Sequence, residues 1–345
     1  MARINRAQGI SDMTTSHTQH LSLSDEAIVI LRDVVSSYAS KSISHRPVRV
    51  SRCDSTHGVW MVAFGDVMLV YKQLITHQAQ AFSHASTFEL QRTLYQKGLA
   101  AEPLYFDAHK GIWIEAYLPA DEDILSTGDA SQKNTLQNST LHNKTCHNSL
   151  RQSCDNDKSD TDNNKRQNTQ RLTHALVNLH QALEVDYADD ATGQCGESDE
   201  SDECGNGHIR RLDPFEHAEY LLAQIETPQA KGIAKTLNLL RAEVQSTTDQ
   251  NESWVLCHND MHVAHVRSAQ RCIDWEYAAI GPRYFDVAMC ITINQICDSS
   301  QHAFINAYAQ LTDTNPAYAQ QQVACYLRLC AIINEIWEQV LHHKG

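Results

Sequence analysis

Residues Trp254 to Ala288 read WVLCHNDMHVAHVRSAQRCIDWEYAAIGPRYFDVA, and the reading of this stretch decides the rest. Trp254, Val255, Leu256 and Cys257 form a short apolar run, the pattern of a buried strand. His258-Asn259-Asp260 interrupts it abruptly. Val263 to Val266 is expected as a second short strand, and Cys272-Ile273 as a third that ends on Asp274. Two carboxylates, Asp260 and Asp274, then stand at strand ends on either side of a tight loop. Loops held by a rigid scaffold are where chemistry is usually placed.

Phosphoryl transfer asks little covalent help of a protein. It needs a carboxylate to orient the attacking hydroxyl and accept its proton, and oxygen ligands to hold Mg²⁺ on the phosphates. Asp260 fits the first role and Asp274 the second. A different chemistry, a zinc hydrolase using His258, Asp260, His262 and His265, has suitable donors. Its order matches no common zinc motif, and a tight loop cannot aim all four side chains inward.

HNDMHVAH followed by IDWEYA resembles the catalytic core of the choline kinase, thiamine kinase and aminoglycoside phosphotransferase superfamily. That pattern is His-x-Asp-x-x-x-x-Asn, then a hydrophobic pair and Asp-Trp-Glu-Tyr-Ala or a variant. The resemblance rests on His258, Asp260, Asp274, Trp275, Glu276, Tyr277 and Ala278. It implies a two-lobed, protein-kinase-like α+β fold with ATP and Mg²⁺ as cofactors. It also implies catalytic roles for Asp260 and His258 and a metal role for Asp274. At the position of the family's metal-binding Asn this chain has His265. Imidazole is a poorer Mg²⁺ ligand than an amide oxygen and suits Mn²⁺ better.

The chain has 345 residues, enough for two lobes. A net charge of −14 argues against general nucleic-acid binding, which needs a basic face. The eleven cysteines contain no Cys-x-x-Cys pair, and several lie in apolar runs, as reduced thiols of a cytoplasmic protein do. No run of 18 apolar residues is present, so no membrane span is expected. Residues 1–23 lack the apolar core of a signal peptide and are expected to be disordered.

The lobe at 24–118 begins with Ser24, which can cap a helix running to about Tyr38. Strands are expected at Val48–Arg52, Val59–Phe64 and Val67–Lys72, with Gly65-Asp66 as a turn. The loop from Cys53 to Gly58, placed where the resembling fold covers the phosphates, has one glycine only. Lys72 is implied as the strand lysine on the α- and β-phosphates, and Glu89, in the helix FSHASTFELQRTLYQKG, as its ion-pair partner. GIWIEAYL, Gly111 to Leu118, is expected as a strand running into the hinge, with Glu115 to Tyr117 meeting the adenine edge.

Residues 119–170 are polar, rich in Asn, Ser, Thr and Gln, and are expected to be a disordered insertion. The helical lobe, 171–345, starts with LTHALVNLHQAL from Leu172, in which His180 reads as a packed structural histidine. An acidic loop at 184–208 follows; its first 21 residues carry nine acids and no Lys or Arg, which leaves the rest of the chain at −5. Helices are expected from Pro214, from Ala230, at Val287–Cys297, at His302–Leu311 and at Pro316–His342. Asp286 is expected to brace the loop at Asp260, and Trp337 to lie in the core or against a substrate.

Together these features imply ATP-dependent phosphorylation of a hydroxyl on a small molecule. Trp275, Glu276 and Tyr277, with Trp337, favour a cationic alcohol such as choline, ethanolamine or thiamine, because aromatic faces and a carboxylate stabilise a positive nitrogen. An aminoglycoside or amino sugar is the alternative acceptor. An alternative of another class is a catalytically weakened kinase fold that binds nucleotide, on account of His265.

Overall fold

The computed structural model describes residues 23–39, 47, 49–52, 58–74, 84–120, 160–183, 209–225, 230–248 and 254–344. The expected phosphate-covering loop (53–57), most of the polar insertion (121–159) and the acidic loop (184–208) lie outside them.

Helix α1 (Asp25–Tyr38) opens as the sequence predicts: the Ser24 hydroxyl accepts from the Ala27 N–H at 3.1 Å, satisfying one of the free donors of the first turn. Ala27, Leu31 and Val35 recur every four residues and are buried against a sheet. That sheet is antiparallel, in the order β1-β2-β3-β5-β4. Its strands are β1 (Arg49–Arg52), β2 (Gly58–Phe64), β3 (Val67–Gln73), β4 (Pro103–Asp107) and β5 (Ile112–Ala116). Alternation along β3 and β5 sorts their side chains. Leu69, Tyr71, Ile112 and Ile114 join the α1 core, while Trp113 meets Phe88 of helix α2 (His84–Gln96) edge to face. The sheet is therefore covered on both faces. Strand β4 was not foreseen; PLYFD reads from sequence only as the exit from α2.

The larger lobe is helical. Helices α3 (Asp160–His180), α4 (Pro214–Leu222), α5 (Ala230–Thr247), α6 (Arg283–Ile293), α7 (Asp298–Leu311) and α8 (Pro316–Lys344) surround one apolar cluster. Helix α3 corrects the expected boundary, starting at Asp160 rather than Leu172. Its described residues before Arg171 show no buried position, so no apolar period marked them. The helix continues outward from a packed half that holds Leu172, Leu176 and Leu179.

A two-stranded antiparallel ribbon, β6 (Val255–Cys257) with β7 (Ala279–Gly281), carries the central loop. The two further strands expected inside that loop do not form. Val263–His265 is a turn of 3₁₀ helix, and Cys272 makes only isolated bridges to Ala100 and Val266. The pairing partner of β6 is AIG, beyond the DWEYA segment, where the expectation had no strand.

The lobes are stitched by backbone. Cys272 N–H donates to the Leu99 carbonyl at 2.7 Å, and Ser268 N–H to Pro119 at 3.2 Å. Among the described residues no helix is long and apolar enough to cross a membrane.

Because α1 is held by one apolar stripe, Leu31→Ala should cost about 2–4 kcal/mol of stability, as a cavity in a packed core does. Urea unfolding monitored by tryptophan fluorescence, with Trp60 in the same cluster, checks it.

Candidate active site

The loop after β6 is built on one buried carboxylate. Asp286, in the first turn of α6, is fully buried. Its Oδ2 accepts from the His258 backbone N–H at 2.9 Å, and its Oδ1 from the Asn259 N–H at 2.8 Å. Nε2 of His180, on α3, donates to Oδ2 at 3.0 Å, while its Nδ1 takes the Tyr308 hydroxyl at 2.7 Å. Burial alone would raise the Asp286 pKa, but the His180 bond and the neighbouring histidines outweigh it and hold the carboxyl below its usual range. The expectations for Asp286 as a brace and for His180 as a packed residue agree with this geometry.

The rest of the loop is pinned locally. Asn259 has a left-handed φ of 61°, which Asn tolerates, and its Nδ2 donates to the Tyr277 carbonyl at 3.0 Å. Asn294, at the end of α6, accepts from Val263 N–H at 2.9 Å and donates to the Met261 carbonyl at 2.7 Å. No sequence signal pointed to Asn294, because a helix-end asparagine is common.

Three groups converge at the loop's mouth. One donor atom each of Asp260, His265 and Asp274 lies within 4.8 Å of the others. His265 Nδ1 is 2.8 Å from the Asp260 backbone carbonyl, which can only accept, so Nδ1 carries the proton. Its Nε2 lies 3.7 Å from Asp274 Oδ2. An imidazole nitrogen and a carboxylate facing one another are a donor pair that suits a divalent cation. Asp274 holds its place with a left-handed φ of 70°. Burial would raise its pKa, but Lys72, His265 and His258 outweigh this and lower it. Asp260, whose Oδ2 lies 3.9 Å from His265 Nδ1, is shifted the other way. Burial first, then Asp274, Glu276 and Asp286, push its pKa up to about 7.

The other predicted residues separate into two groups. His258 does not reach the cluster's open side. It is fully buried against Trp275, and its Nε2 donates to the Ile273 carbonyl at 3.0 Å. Burial lowers its pKa to about 4, so it stays neutral; this corrects the catalytic role and makes it a packing support. The zinc alternative fails on the same geometry, since His258 is committed inward and the His262 ring caps the 3₁₀ turn at Ala264 N–H.

Trp275 is only 2% exposed and donates to the Cys272 carbonyl, so its face is core and not open to substrate, a correction. Its two successors are exposed. Tyr277, 41% exposed, shares a hydrogen bond with Glu276. Trp337 is 42% exposed on α8, and the expectation that it is core is corrected.

Lys72 reaches the cluster from the small lobe. Its Nζ lies 3.4 Å from Asp274 Oδ1 and 3.4 Å from Glu115 Oε1. Burial would lower its pKa, but Glu115, Asp274 and Glu276 outweigh it and raise it, so it is a firm cation. Glu89 is not its partner. It is exposed on α2 and pairs with Arg92 at 2.9 Å, which corrects the expected ion pair. The Glu115 side chain is buried beside Lys72. The Tyr117 N–H, expected at the adenine edge, is taken by the Met68 carbonyl at 3.1 Å.

Residues 152–321 match the model of the phosphotransferase enzyme family. No curated protein matches the chain at a significant level. In structure it is similar to choline kinase LicA from Streptococcus pneumoniae, with a TM-score of 0.58 and 13% identity over 92% of this chain and 91% of that one. A choline/ethanolamine kinase family protein from Mesorhizobium loti gives 0.55 and 13% over 93% and 86%. Amicoumacin kinase hAmiN, in complex with AMP-PNP, Ca²⁺ and Ami, gives 0.55 and 13% over 91% and 86%. At this identity the likeness is one of fold, the two-lobed kinase-like fold.

A raised acid favours the folded state only while it is protonated. For Asp260 the folded value near 7 lies above an unfolded value of about 4. Stability is therefore lost as pH rises between the two. In chelator, Asp260→Asn should melt higher than the wild type at pH 8, by roughly 1–2 kcal/mol, with the gain shrinking toward pH 5. Equal melting temperatures at pH 8 would remove the charge crowding from the account.

Proposed function

We propose that the chain is a small-molecule kinase of the superfamily that its match to the phosphotransferase enzyme family and its likeness in fold to choline and ethanolamine kinases point to. The reaction is transfer of the ATP γ-phosphoryl group to a hydroxyl of a cationic alcohol, of the choline, ethanolamine or thiamine type. The single observation that carries the assignment is the convergence of Lys72, Asp274 and Asp260 from two lobes, with Lys72 and Asp274 in contact at 3.4 Å.

Asp260 accepts the proton of the attacking hydroxyl as its oxygen bonds to the γ-phosphorus and the bond to ADP breaks. Its raised pKa suits a base working near neutrality. Lys72 lies against the α- and β-phosphates. Asp274 and His265 hold the divalent ion, which when bound neutralises charge on the phosphates. The donor set, the Asp274 carboxylate and a His265 imidazole nitrogen beside the Asp260 carboxylate, fits such an ion and leans toward Mn²⁺. Backbone beyond Tyr117 meets the adenine.

The acceptor class follows from charge. Glu276 and Tyr277 are exposed beside Asp260, whose pKa registers a local excess of carboxylates. That environment stabilises a cationic nitrogen next to the reacting hydroxyl. Aminoglycosides, also cationic alcohols, are the second reading. The six cysteines among the described residues are free thiols, five of them buried, which fits a cytoplasmic setting.

ADP release is to be measured with ATP and choline, ethanolamine, thiamine, an aminoglycoside and an amino sugar in turn. Turnover with one of the first three is expected; no turnover with any of them would overturn the substrate class. With the active acceptor, Asp260→Asn should fold and bind nucleotide but turn over about a hundredfold more slowly or worse, as loss of a general base does. Asp274→Ala should abolish the part of ATP affinity that depends on the divalent ion. Unchanged affinity there would remove Asp274 as a metal ligand.

His265→Asn exchanges the nitrogen ligand for an amide oxygen. It should raise Mg²⁺-supported turnover and lower the Mn²⁺-to-Mg²⁺ ratio of affinities, read by Mn²⁺ electron paramagnetic resonance and by activity. A fall in Mg²⁺-supported activity would give His265 a role other than metal binding.

A further inference from the structure

The position of Lys72 is set by an arrangement the sequence pattern did not suggest. The expected partner was a carboxylate on α2. At the α2 position that faces the sheet there is instead a neutral residue, Gln91, which is fully buried. The carboxylate stands on the strand. Glu115 is 2% exposed, and its two oxygens have separate duties. Oε1 is 3.4 Å from Lys72 Nζ. Oε2 accepts from Gln91 Nε2 at 2.8 Å and from Trp113 Nε1 at 3.1 Å. Gln91 Nε2 also donates to the Ala101 carbonyl at 3.1 Å, which fixes the amide in turn.

Strand register explains why the pair meets. In β3 and β5, Lys72 stands opposite Trp113 and Val70 opposite Glu115. Side chains directly opposite share a face, and residues two apart along a strand share it too. Lys72 and Glu115 are therefore diagonal neighbours on the face covered by α2, a separation long side chains span. A buried carboxylate is tolerated only when paired and hydrogen-bonded, and Glu115 meets both conditions with groups from β3, β5 and α2.

We propose that Glu115 is the positioning residue of Lys72, oriented by Gln91 and Trp113, and that it takes the place of a helix-borne carboxylate in setting the lysine against the nucleotide phosphates. This rests on the kinase reading above. The consequence is mechanical. A carboxylate on a helix moves whenever the helix moves, whereas Glu115 belongs to the same hydrogen-bonded ladder as Lys72. The sheet itself keeps the lysine in place, and α2 supplies only a neutral donor.

The test compares binding of ADP and of adenosine by calorimetry in the full-length chain with divalent ion, since only ADP offers phosphates to Lys72. Glu115→Gln should weaken ADP binding about tenfold, the scale of one lost hydrogen bond to a charged group, and leave adenosine binding within about twofold. Glu89→Ala should match the wild type for both ligands. In a Lys72→Met background, Glu115→Gln should have no further effect on ADP, because its influence passes through the lysine. Removing both partners of a buried pair is also better tolerated than removing one.

If Glu115→Gln does not fold, Glu115→Asp replaces it; this keeps the charge but withdraws it by one methylene, and the same direction is expected. An unchanged ratio of ADP to adenosine affinity overturns the proposal. So does an equal loss of ADP affinity with and without Lys72, or a loss in Glu89→Ala as large as in Glu115→Gln. A wild type that binds neither ATP nor ADP overturns the kinase reading and this inference with it. A wild type that binds ADP beside a silent Glu115 variant overturns this inference alone.

Discussion

The site depends first on one buried carboxylate. Asp286 binds the two consecutive N–H groups of His258 and Asn259 and the imidazole of His180. Those N–H groups leave β6 just where the chain must turn, and without a partner each would be buried and unsatisfied. The carboxylate therefore decides the path of the backbone that presents Asp260. It also couples that path to α6, through its own position, and to α3, through His180. A helix N-terminus tolerates the negative charge well, since free N–H groups face it. The loop is thus held by charge-assisted hydrogen bonds and not by apolar packing alone.

The second constraint joins the lobes. Lys72 is lodged between Glu115 of its own sheet and Asp274 of the other lobe. A lysine so placed is desolvated, and it stays charged because two carboxylates stabilise it. The same charge lowers the pKa of Asp274 while leaving Asp260 crowded by negative groups. One cation thereby differentiates two acids that stand close together. The acid beside the lysine is the better cation ligand, and the acid away from it is the better base.

Around that pair the corrections follow a single rule. Residues in the recognisable motif were read as reactive, yet two of them, His258 and Trp275, are support. Trp275 and His258 pack against each other at a tilt, each bonded to a backbone carbonyl, and form the floor of the loop. Support of this kind has to be buried, and Trp275 Nε1 and His258 Nε2 each find a backbone partner there, while His258 Nδ1 has none. Exposure separates the two sets: Glu276 and Tyr277 face outward, and Trp275 between Asp274 and Glu276 does not.

By itself the sequence determined the two-lobed α+β class, four of the five strands of the small sheet and the helices of the large lobe, and it drew out Asp260 and Asp274 as the candidate pair. These depend on local pattern: apolar period, caps such as Ser24 and Asp213, and motif spacing. Asp213, for instance, caps α4 through the Phe215 N–H at 2.8 Å. The tertiary structure alone decided which carboxylate meets Lys72. Glu89 and Glu115 are both plausible by type and by distance along the chain. The choice turned on helix phase and strand register: α2 turns Gln91 inward and Glu89 to solvent, and β5 turns Glu115 toward Lys72. The partner strand of β6, the 3₁₀ turn at Val263 and the role of Asn294 were hidden for the same reason. Each is fixed by contacts between residues distant in sequence, and such contacts leave no local period to read.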